Sequence, residues 1–90
     1  MTLMNKVRIP SQVMARQVGD EMVILDLASG NYFGLGPVGA RAWQLISEGR
    51  TFADACEVLV DEYDVTRDVL EGDLLRLKEQ LISRGLIVES

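Results

Sequence analysis

The chain has no histidine and a single cysteine, Cys56, among its 90 residues. Without a second thiol no disulfide can close within it. Without histidine a Cys/His metal site and the commonest general base are both missing. Cys56 itself sits in a helix-period apolar pattern, where a thiol serves as a small core filler. Long apolar runs are also lacking, so nothing in the sequence reads as a membrane span. Residues 1–15 have no apolar core of the kind a signal peptide needs. A cytoplasmic protein with no membrane partner and no cofactor is the expectation. Basic charge is short as well: 9 Lys and Arg stand against 14 Asp and Glu, a formal net charge of −5. Such a surface repels phosphate backbones, so no nucleic acid is expected as a partner.

What is present is ordinary globular material, 48% apolar and 26% charged, in a length that suits one domain. Residues 1–12 read as a flexible lead-in, although Leu3, Met4, Val7 and Ile9 could pack somewhere, and residues 13–90 as the domain. Val13–Val18 reads as a first strand, Gly19-Asp20 as a two-residue hairpin turn and Glu21–Leu27 as a second strand. In that second strand Val23, Leu25 and Leu27 point one way, and Met22, Ile24 and Asp26 the other. Ala28-Ser29-Gly30 makes a second turn before a third strand, Asn31–Leu35.

From Pro37 the apolar period changes from two to about 3.6. Val38, Ala42, Leu45 and Ile46 mark a first helix, with Trp43 beside them and Gly49 ending it. Thr51 with Asp54 is a capping signature for a second helix, whose stripe is Phe52, Ala55, Cys56, Leu59 and Val60. Thr66 caps a third, with Leu70, Leu74, Leu77 and Leu81 facing inward and Gly85 stopping it. Leu86-Ile87-Val88 returns as an apolar tail. Three strands followed by three helices predict an α+β domain, winged helix-turn-helix-like in order, with a three-stranded antiparallel sheet.

No catalytic constellation emerges. The serines have no histidine to activate them, and the Asp61, Glu62 and Asp64 cluster reads as a solvated helix end. Gly30, Gly34, Gly36 and Gly39 lack the spacing and the Lys-Ser/Thr of a phosphate loop. A winged-helix regulator would read DNA with the third helix, but there Arg67, Arg76, Lys78 and Arg84 are offset by Asp68, Glu71, Asp73 and Glu79. The remaining candidate is the third strand, Asn31, Tyr32, Phe33, Gly34 and Leu35. It is the last strand before the helices, so it belongs at a sheet edge, and it carries no charge to blunt that edge. An extended peptide can add to such an edge. On the third helix Val69, Asp73, Arg76 and Gln80 lie on one side of the core stripe with Leu77 at its border. They form either a wall for that peptide or a solvated flank.

The run MVILDLASGNYFGLGPVGARAWQLISEG, followed by a Thr-initiated helix and DLLRLKEQLISRGLI, resembles the PqqD-like family of leader-peptide recognition elements. The likeness covers about residues 13–88 and is strongest toward the stand-alone recognition proteins of lasso-peptide pathways. Its marks are Leu25-Asp26, Ser29-Gly30 with Tyr32, Leu35, Gly39, Trp43, Gly49, Asp73, Leu77 and Gly85-Leu86. The family often places Asn or Asp after the strand leucine as a helix cap. Gly36 stands there instead, which weakens the cap by a few tenths of a kcal/mol at about this position. The resemblance implies a non-enzymatic domain that binds the leader of a ribosomally made precursor as an added strand. Its implied walls are Tyr32, Phe33, Gly34 and Leu35 on the strand, and Val69, Asp73, Arg76, Leu77 and Gln80 on the third helix. Its implied partners are the leader and a leader peptidase of the cysteine protease type or another maturation enzyme, such as a radical-SAM maturase. A homodimer through the strand edge is a further expectation.

Overall fold

The computed structural model describes residues 3–89; readings that touch Met1, Thr2 and Ser90 lie outside them. In chain order the elements are β1 (Val7–Arg8), β2 (Val13–Val18), β3 (Glu21–Asp26), β4 (Tyr32–Leu35), α1 (Pro37–Ser47), α2 (Phe52–Glu62), α3 (Arg67–Ser83) and β5 (Val88–Glu89). β2, β3 and β4 form an antiparallel meander in that order, and three helices follow it, as the sequence pattern predicts.

The lead-in carries structure of its own. β1 pairs with β5 in a separate two-stranded sheet, Val7 opposite Glu89 and Arg8 opposite Val88. The Ala53 N–H donates to the Leu3 carbonyl at 2.9 Å. Leu3, Val7 and Ile9 pack against the core, and Pro10 is buried. Apolar side chains in this stretch cover core surface that the helices leave open, and the returning tail supplies the backbone partner.

The local chemistry explains the turns and caps. Gly19 takes φ 65° and Asp20 does not, the order in which a Gly-X hairpin turn places its left-handed residue. The β3–β4 turn is tied by one carboxylate: Asp26 accepts from the Ala28 N–H and the Ser29 hydroxyl, both at 3.0 Å. The Asn31 N–H then donates to Ser29 Oγ at 3.2 Å. Pro37 opens α1 behind Gly36, which makes no side-chain cap. Thr51 and Asp54 form a reciprocal capping box at α2, at 3.0 and 3.1 Å. Thr66 accepts from the Val69 N–H to start α3.

The core face of the sheet is the one with Met22, Ile24 and Leu35, against Ala42, Trp43, Leu45, Phe52, Leu59, Leu74, Leu81, Leu86 and Ile87. Full burial of a side chain such as Phe52 stabilises by roughly 1.5–3 kcal/mol. In α3 the inner stripe differs from the expected one. Lys78 joins it fully buried, while Leu77 is half-buried at the border position already expected for it. Lys78 Nζ lies 3.0 Å from Glu89 Oε2 and 5.9 Å from the centre of the Phe52 ring. The Asn5 side-chain amide donates to the same Glu89 oxygen at 3.0 Å. This group joins α3, β5 and the segment before β1, and a buried ammonium is tolerable only because it is paired.

Removing the capping hydroxyl in Thr51→Ala should lower unfolding free energy by about 1 kcal/mol, read from a urea titration. The bonds from Lys78, and then from Asn5, hold the Glu89 carboxyl below its ordinary range. A depressed folded value means that Glu89 stabilises fully above the ordinary carboxylate range and less as pH falls through the lowered one. Melting temperature should therefore drop below roughly pH 4 more steeply in the wild type than in Glu89→Gln.

Candidate functional site

β4 is an edge strand, and the parity of its hydrogen bonds decides what that edge offers. The Asp26 N–H donates to the Asn31 carbonyl at 2.9 Å, which makes Asp26 and Asn31 a hydrogen-bonded pair. Two steps on, Ile24–Phe33 and Met22–Leu35 must exchange bonds in the same way. The other register agrees, since Leu27 donates to Gln12, so Val23 and Leu25 bond toward β2. The N–H and C=O groups of Tyr32 and Gly34 therefore point away from the sheet. No strand pairs with them among the described residues. A Cβ added at Gly34 would meet nothing within 4 Å, so the outer face of the strand is open there.

α3 forms the other side of the gap. At one end a cavity of about 230 Å³ is lined by Val38, Gly39, Val65, Leu70, Asp73, Leu74 and Leu77. Gly39 is the meeting point there: a Cβ on it would come within 3.3 Å of Leu35 Cδ2 and 3.7 Å of Leu77 Cδ2. At the other end the Arg84 guanidinium stacks over Phe33 with its carbon 4.9 Å from the ring centre. The groove thus has an apolar, acid-rimmed end and a cationic end.

The sequence-predicted residues sort as follows. Tyr32 and Gly34 supply the open backbone groups. Phe33 and Leu35 face the helices, half-buried and buried, and their backbones are committed to β3. Asn31 falls just before β4, with its N–H and C=O both used in the turn. The Tyr32 side chain, 70% exposed, lies on the outer face of the sheet beside Met14, Arg16, Val23 and Leu25, not in the groove. On α3, Asp73 and Leu77 share the cavity. Arg76 and Gln80 border a shallower hollow with Glu79 and Ser83, and Val69 is exposed outside both. Arg76 pairs with Asp73 one turn away. Val38, Gly39 and Val65 are groove residues that the sequence reading missed. Val38 reads in sequence only as part of the first helix's apolar stripe, and Val65 sits in the turn before Thr66, an apolar residue that no helical stripe uses.

Elsewhere a hollow of about 680 Å³ lies on the other flank of α3, among Leu3, Met4, Ala53, Glu57, Arg67 and Glu71. It adjoins no strand edge, and the Arg67–Glu57 ion pair at 2.6 Å borders it. Burial pushes the neighbouring Cys56 thiol up, away from the reactive thiolate. Among the described residues no cluster of metal-ligating side chains occurs, and no helix is long and apolar enough to cross a membrane.

The sequence profile of Coenzyme PQQ synthesis protein D (PqqD) matches residues 21–87, which hold β3, β4 and all three helices. The chain belongs to the PqqD family. Two solved structures are similar to this PqqD-family chain over nearly its whole length. "TbiB1 in Complex with the TbiA(beta) Leader Peptide" is 35% identical with a TM-score of 0.83, covering 89% of this chain and 93% of that one. "Lasso peptide synthetase B1 complexed with the leader peptide" is 30% identical with a TM-score of 0.82, covering 92% and 98%. No curated protein matches in sequence.

The Asp73–Arg76 pair is solvent-exposed, so Asp73→Asn should change stability by no more than about 0.5 kcal/mol in a urea titration. Asp73 is then free to serve a ligand without being needed by the fold.

Proposed function

We propose that this PqqD-family chain is a non-catalytic recognition domain that captures the leader segment of a ribosomally synthesised precursor peptide by strand addition. The observation that carries the reading is the pair of outward-facing backbone units at Tyr32 and Gly34, set beside a cavity-bearing helix wall. Each main-chain bond to a leader contributes roughly 1 kcal/mol net, and the groove side chains add sequence choice. Asp73, Leu77, Phe33 and Leu35 line the wall, while Val69, Arg76 and Gln80 contact residues of the leader that rise above it. The complexes named for both solved relatives support this assignment, and they favour a lasso-peptide pathway over a pyrroloquinoline quinone one.

The chain then hands the bound leader to a partner that does the chemistry, a leader peptidase of the cysteine protease type or another maturation enzyme. Its contribution is a raised local leader concentration at that enzyme. The work takes place in the cytoplasm. Without a leader the same edge is open to a second copy of this chain, so dimer and leader compete for Tyr32 and Gly34.

A synthetic leader from the precursor encoded beside this chain should bind with a Kd of about 1 μM or tighter in titration calorimetry. Gly34→Pro removes an outward N–H but no bond to β3. It should weaken binding about tenfold while leaving the melting temperature close to wild type. Absence of heat together with absence of competition by unlabelled leader overturns the reading.

A further inference from the structure

We infer that Arg84 selects the leader by charge, favouring peptides with a carboxylate about four residues from an aliphatic side chain seated in the Val38–Leu77 cavity. This rests on the leader-capture reading above and adds the chemistry of the captured segment.

The starting point is an imbalance among the helix cations. Arg41 meets Glu62, Arg67 meets Glu57, Arg76 meets Asp73 and Lys78 meets Glu89. Arg84 is exposed, and among the described residues no carboxylate lies within ion-pair distance of it, although the chain carries an excess of acid. Its place is specific. It is the C-cap of α3, and its guanidinium lies 4.9 Å over Phe33, the β4 residue between the two that present open backbone. The contact is made over the ring face and uses none of the hydrogen bonds of the guanidinium, whose N–H donors form the fork that a carboxylate fits. The ring contact narrows the conformations open to the side chain, so less freedom is lost when a partner binds.

The two ends of the groove differ in sign. Asp73 rims the apolar cavity and disfavours a second carboxylate there. The C-terminal carbonyls of α3 alone would also repel an anion, and Arg84 reverses that preference at the Phe33 end. The spacing follows from the helix. The cavity residues on α3 centre near Leu74, ten positions before Arg84. That is about 15 Å at the helical rise. An extended peptide covers that span in about four to five residues, and side chains on one face recur every second residue, which selects four.

The test uses the full chain as bait for a phage-displayed library of random dodecapeptides. Wild type, Arg84→Glu and Arg84→Lys are panned in parallel, with Gly34→Pro as the edge control. Wild type and Arg84→Lys should enrich Asp or Glu about four residues from Leu, Ile, Val or Met. Arg84→Glu should keep the aliphatic preference and exchange the acid for Lys or Arg at the same spacing. A resynthesised acidic peptide should bind Arg84→Glu about tenfold more weakly by fluorescence anisotropy. If Arg84→Glu does not melt cooperatively, Arg84→Gln replaces it, with loss of the acidic preference as the expected result. An aliphatic-only motif, or an acidic one unchanged by Arg84→Glu, overturns the role of Arg84 and leaves leader capture standing. Failure of the wild type to enrich any sequence over the Gly34→Pro control overturns both.

Discussion

The alternation of hydrogen bonds along one four-residue strand governs the rest of this molecule. β4 spends the backbone of Phe33 and Leu35 on β3 and leaves that of Tyr32 and Gly34 facing outward. A sheet edge usually carries charge, proline or a cover against accidental pairing. Here the edge has no charge, its only flanking proline starts the next helix, and the nearest wall stands off across a groove. The other edge, β2, carries Arg16. The two edges of the sheet are therefore blunted to different degrees.

The groove beside β4 depends on α3 being held at the right distance, and two devices do so from opposite faces. On the buried side, Lys78 reaches Glu89 and packs near Phe52, linking the helix to the small terminal sheet. Its net contribution to stability is modest, because desolvating the ammonium offsets much of the attraction. The consequence is positional: the register of α3 against the core is fixed by a group that cannot slide. On the open side, Arg84 rests on Phe33 and spans the groove at one end, while Leu35, Gly39 and Leu77 close up at the other. Between them lies a slot whose depth is set by the missing side chain of Gly39.

Much of this was legible in the residue pattern. The change of period at Pro37 located the boundary between sheet and helices, and the Thr51–Asp54 pair announced a cap that forms in both directions. β4 could be placed at an edge because no strand follows it before the helices. Other features were not legible, for physical reasons. Side-chain alternation tells which face a residue occupies, but not toward which neighbour its N–H points, so Asn31 and Tyr32 looked equivalent when their backbones do opposite things. Lys78 reads as surface because a charge seldom enters a core, and only the distant Glu89 makes it tolerable there. Val38, Gly39 and Val65 join the groove from other elements, and a stripe drawn on a single helix cannot show what is brought to it. The β1–β5 ladder is too short to carry any period at all.

That ladder has a bearing on architecture beyond the slot. Val7 sits opposite Glu89, so the first and last strands of the fold lie side by side. A unit built this way can be spliced into a larger protein, or rejoined end to end and reopened elsewhere, with little disturbance of its distant working surface. The fold is laid out as a portable cassette.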